Sequence, residues 1–171
     1  MSLRTSFRLA ALVAIAAVAA AAIAAHGAAG ASTSIPVSGT FTVIDPGTTT
    51  CATNGAPFIL RCETTGFTIQ YSGSLTGTSV ITGPGALIIN CKTGTLFGVG
   101  TETFTGSVAG VGSGTLTWRR TGGSDFDCAT GELSNFSGHG AIIGGTGDLA
   151  GLHGNLLFGP GTYSGELHSF A

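Results

Sequence analysis

Charge is scarce in this sequence. Its 171 residues include six Lys and Arg and eight Asp and Glu, where roughly a quarter of an average chain is charged. Without a basic stripe, an electrostatic nucleic-acid surface is excluded. Long solvent-facing helices are excluded as well, because they need charged residues spread over several turns. The metal spacings C-x-x-C, H-x-H and H-x-x-E-H are missing, so no zinc or facial-triad site is expected. There is no G-x-S-x-G elbow and no P-loop lysine. Disorder does not fit a chain that is 43% hydrophobic with a formal net charge of −2. Collagen does not fit 30 glycines that show no three-residue period.

What the sequence has instead is glycine, 25 Thr and 15 Ser. Its one long apolar run, Leu9 to Ala25, follows Arg4 and Arg8 and is mostly Ala, Val and Ile. Ala29-Gly30-Ala31 then matches an A-x-A cleavage site. Residues 1–31 are therefore read as a signal peptide and 32–171 as a single β-barrel domain, secreted to the extracellular space, envelope or periplasm. No second run approaches the ~18 residues of a membrane span, so none is expected after cleavage. The remaining domain has four bases against eight acids, a net charge of −4. Cys51, Cys62, Cys91 and Cys128 form an even set, which in an exported chain suggests two disulfides. The favoured pairing is Cys51–Cys62 with Cys91–Cys128, since the first pair closes a Thr/Pro/Gly-rich loop over about 45–64.

Period-two patterning dominates. Thr40-Phe41-Thr42-Val43, Thr65 to Tyr71 and Thr115-Leu116-Thr117-Trp118 alternate polar and apolar, as half-buried strands do. Turn signals separate them: Asp45-Pro46-Gly47, Gly83-Pro84-Gly85, Gly122-Gly123 and Gly159-Pro160-Gly161. A short unit of apolar residue, Ser or Thr, and Gly recurs at Val37, Tyr71, Phe104, Phe136 and Tyr163. Its helix-free context argues against a solenoid and for a glycine at a bend or coil of every second strand. Eight strands are expected, at 37–44, 65–74, 77–91, 94–107, 112–121, 130–143, 152–158 and 162–170. A closed barrel of that size accounts for a chain with one Lys, because closure leaves no sheet edge to guard.

Gly144-Gly145-Thr146-Gly147-Asp148-Leu149-Ala150-Gly151-Leu152-His153-Gly154 resembles the glycine-rich motif of the allene oxide cyclase and dirigent barrel superfamily. Within it, the stretch is similar to that of an uncharacterised, mostly bacterial family, with Asp148 standing where Glu is usual. Tyr71 to Gly77 and Glu102 to Gly110 fit the same family, and together the matches cover about residues 37–170. The resemblance implies an all-β, eight-stranded antiparallel, calycin-like barrel, with dimers or trimers among relatives. It implies the fold rather than a chemistry.

Glu102 is the leading site candidate. It lies two residues from Phe104, so both point to one face of a strand. A carboxylate inside an apolar barrel is a candidate acid, base or ligand anchor. Arg120 shares a face with Trp118 and Leu116, while Arg119 faces the other way. One of the two arginines is placed to pair with Glu102 across the 107–112 turn. Glu102, Phe104, Trp118 and Arg120 form the expected ligand set. Ser164, Glu166 and His168 share one strand face, in a row that suits no catalytic triad. Asp148 is expected to cap its own glycine turn, and Leu149 and Leu152 to plug a barrel end. His139 has no evident partner, and the Asn135-Phe136-Ser137 sequon is expected to go unused.

Three readings follow. The first is a secreted barrel holding a small apolar or aromatic ligand in its interior. The second is an allene oxide cyclase- or dirigent-like enzyme guiding cyclisation or coupling through orientation. The third is a non-catalytic extracellular or envelope structural module. No cofactor and no metal is expected in any of them. An interior volume near Glu102 separates the first two from the third.

Overall fold

The computed structural model describes residues 33–53, 55–81 and 85–169. The segment read as a signal peptide lies outside the described residues. Eleven strands run in order: β1 (Thr33–Asp45), β2 (Thr48–Thr53), β3 (Ile59–Thr65), β4 (Thr68–Gly73), β5 (Leu75–Ile81), β6 (Gly85–Asn90), β7 (Thr95–Val108), β8 (Gly112–Phe126), β9 (Leu133–Gly147), β10 (His153–Gly159) and β11 (Thr162–Ser169). No helix forms among the described residues. Eight of the strands close an antiparallel barrel in the order β7-β5-β4-β1-β11-β10-β9-β8, with β8 returning to β7. The other three extend the sheet as β6, β3 and β2.

Three expectations change here. The strand expected at 77–91 is two strands, because β7 is long enough to serve both. Its second half pairs with β5 and its first half with β6. The expected loop at 45–64 is mostly the β2–β3 hairpin. A run of threonines forms a strand once β3 and β6 offer a ladder. Cys51 lies directly opposite Cys62 in this hairpin, and the two are bonded. The second disulfide, Cys91–Cys128, joins the residue after β6 to the segment after β8. The extension also means that the sheet keeps an edge. Among the described residues β2 has no partner on its outer side, and all six of its residues are exposed.

Alternation sorts the side chains. Along β7, Phe104 and Val108 are buried, while Phe97 and Val99 on the other parity are exposed. The interior holds Val37, Ile69, Tyr71, Leu75, Phe104, Leu116, Trp118, Ile142, Leu156, Phe158, Tyr163 and Leu167. Leu149 and Leu152 come from the β9–β10 connection and bury in the same cluster, so that connection packs into the barrel end. The recurring glycines mark creases where neighbouring backbones touch. Gly77, Gly106, Gly114 and Gly147 stand in one row across β5, β7, β8 and β9. A methyl group on Gly114 would fall 1.9 Å from the Thr146 carbonyl oxygen, and one on Gly106 2.3 Å from that of Thr76. Only glycine lets the strands coil this tightly into a small barrel.

Candidate functional site: a buried carboxylate below the barrel mouth

β7 and β8 set the site by register. Glu102 is directly opposite Trp118, and the period of two turns both inward with Phe104 and Arg120. Glu102 is 1% exposed, yet both of its carboxylate oxygens are satisfied. Oε1 accepts a hydrogen bond from the Tyr71 hydroxyl at 2.8 Å and another from the Ser79 hydroxyl. Oε2 accepts from the Trp118 indole N–H at 3.2 Å and from an Arg120 Nη at 3.0 Å. Four residues of three strands thus surround one negative charge. This is the arrangement that makes a buried carboxylate tolerable, because each oxygen that lost water gained donors.

Arg120, not Arg119, makes the ion pair. Its side chain is 15% exposed, and its guanidinium carbon lies 4.6, 5.4 and 5.9 Å from the ring centres of Phe158, Phe136 and Phe41. These rings and the arginine close the barrel end from which β7, β8 and β9 run on into the extension. Phe136 follows Asn135, which has a left-handed φ of 53° and donates a side-chain hydrogen bond to Asp125.

The four residues expected at the site therefore meet. Phe104 and Trp118 are fully buried, so neither faces a water-sized space. The space beside Glu102 is filled by Tyr71, whose ring makes edge contacts with Phe104, Trp118 and Tyr163 at centre distances of 5.5–6.0 Å. Burial, reinforced by the negative Glu102, holds the Tyr71 hydroxyl protonated far above the ordinary tyrosine range. Two surface grooves of about 460 and 450 Å³ lie elsewhere. One is bounded by Asp125, Asp127 and Glu132, the other by Thr76, Thr105 and Thr115.

Sequence reasoning missed Tyr71 and Ser79. Tyr71 stood in an alternating strand, but no local signal ties it to a carboxylate 31 residues away. The other candidates separate. Asp148 binds the Ser113 amide of the β7–β8 hairpin instead of capping its own turn. His139 lies opposite Leu157 and Thr121. His168, read as part of a polar outer face, lies opposite His153 on β10. Among the described residues, no group of three or more His, Cys, Asp or Glu is arranged to hold a metal ion.

No protein-family model matches this chain, and no curated protein matches it. A solved structure does. It is a protein of unknown function from the DUF3224 family of Shewanella oneidensis MR-1, with TM-score 0.55 and 20% identity, covering 81% of this chain and 98% of that one. At that identity the likeness supports the fold alone. The two disulfides fit an oxidising compartment.

Proposed function

We propose that the protein is an exported, non-catalytic β-barrel module that works through its outer surface. The carrying observation is the closed interior: Glu102 is spent on four donors, and Phe104 and Trp118 are fully buried. A cyclisation or coupling of the allene oxide cyclase or dirigent kind needs a substrate beside such a group, and here side chains take that place. The signal-like N-terminus and the two disulfides support export. Native mass spectrometry of the exported, oxidised protein tests the reading. The expected mass is that of the polypeptide alone; a stoichiometric small molecule that leaves on denaturation would overturn it.

A second reading has one specific observation behind it. Glu102 is the sole hydrogen-bond partner of the Arg120 side chain among the described residues, and three phenylalanine rings frame the guanidinium. An aromatic molecule with a carbonyl or carboxylate would find an apolar rim and unspent donors there, once Phe136 turned aside. Titration with benzoate-like acids, read by Trp118 fluorescence, separates the readings. Saturable binding that Arg120→Met abolishes favours the mouth site; an unresponsive spectrum favours the module.

A further inference from the structure

The barrel's outer face carries a pair of histidines that the sequence holds 15 residues apart. β10 and β11 place His153 directly opposite His168. Their neighbours Leu152 and Leu167 are buried in the core, so strand alternation turns both imidazoles outward. The ring centres are 5.4 Å apart, with planes inclined at 35°. Both residues are half-buried. Two residues from His168, Glu166 shares its face and accepts a hydrogen bond from the Ser34 hydroxyl. Ser34 itself lies opposite His168 on β1. None of these groups touches the Glu102 network.

We propose that His153 and His168 form a two-imidazole binding site for a borderline divalent metal ion, of the Cu²⁺, Ni²⁺ or Zn²⁺ class. Directly opposed residues of an antiparallel pair have Cβ atoms about 4.5–5.5 Å apart. Metal–imidazole bonds are about 2.0–2.1 Å. Two rings already side by side reach a common ion by small side-chain rotations, and the sheet fixes their separation beforehand. Imidazole donors select this metal class over Ca²⁺ and Mg²⁺, which prefer oxygen. The nearby Glu166 carboxylate adds negative charge that favours a cation. With two protein ligands, water fills the remaining positions, so the ion stays exchangeable and open to a further ligand. The pair is unlike zinc sites read from sequence, because its spacing exists only across a strand ladder.

The test uses the oxidised protein without an affinity tag. Cu²⁺ titration by calorimetry should give one ion per chain, and electron paramagnetic resonance should show two nitrogen ligands. His153→Asn and His168→Asn should each weaken binding roughly tenfold or more, while His139→Asn should leave it unchanged. Mg²⁺ should not compete. Absence of one-to-one uptake would overturn the proposal, as would binding that survives either substitution. Should the variants unfold, the two-nitrogen signature of the unaltered protein decides alone, and its absence overturns the site.

Discussion

At the scale of single residues, Glu102 and Arg120 hold each other in place. Removing one partner of a buried pair strands the other charge, which typically costs about 3–5 kcal/mol. Arg120→Met should lose stability in that range, read from urea unfolding followed by the chain's one tryptophan, Trp118. Adding Glu102→Gln should recover part of the loss. The amide removes the orphaned charge and still offers an oxygen to the Trp118 N–H, while the Tyr71 and Ser79 hydroxyls reverse their bonds. Simple additivity of the two substitutions would show that the pair is not coupled.

The two tyrosines give a second residue-scale expectation. Tyr71 and Tyr163 are the only tyrosines, and burial raises both above the ordinary value. An unfolded chain ionises its tyrosines near pH 10. Below that pH neither state is ionised and the stabilisation is complete. Above it the unfolded state sheds protons that the folded state keeps. Stability therefore falls as the pH rises, by about 1.4 kcal/mol per pH unit for Tyr71 until its raised folded value is passed, with Tyr163 acting more weakly in the same direction. Tyrosinate absorbance at 295 nm should accordingly appear only together with loss of near-ultraviolet dichroism. Reversible titration near pH 10 in an intact fold would show that the phenols are accessible.

At the scale of elements, the glycine row and the split of 77–91 have one cause. A closed barrel needs strongly coiled strands, and coiling brings neighbouring backbones together at a line. Gly114→Ala should cost about 3 kcal/mol, as overpacking does. The neighbouring Gly144→Ala, whose methyl meets nothing within 4 Å, should change stability by no more than about 0.5 kcal/mol. Thermal melts of the two variants check the contrast; equal melting temperatures would refute the crease. The apolar–Ser/Thr–Gly unit was legible in the sequence for this reason, since glycine there answers to a local steric demand. The division into β5 and β6 was less legible: Gly83-Pro84-Gly85 read as a turn signal in the sequence, but the need for two short strands came from the length of β7.

At the scale of the whole molecule, low charge reads differently with the extension in view. The barrel itself is closed, but β2 leaves a row of Thr, Cys and Ala with no charge on an open edge. Uncharged edge strands invite pairing with another chain, and a lysine on the edge opposes it. Thr50→Lys should lower light scattering at high protein concentration without moving the urea midpoint. An unchanged scattering profile would show that this edge does not limit solubility.

The sequence by itself determined what depends on neighbours along the chain. Alternation decided which faces of β7 and β8 point inward, and so brought Glu102, Phe104, Trp118 and Arg120 to one interior. Turn residues set most strand ends, and the cysteine count with the N-terminal run pointed to an oxidising compartment. Tertiary structure decided everything that depends on closure. Which strands meet is a non-local choice set by ring order and register, and no short motif encodes it. That choice put Tyr71 and Ser79 on the carboxylate and packed the Tyr71 ring against Phe104 and Trp118. It also folded the 45–64 segment into a hairpin with a free edge, and brought His153 and His168 from separate strands to a ring-to-ring contact.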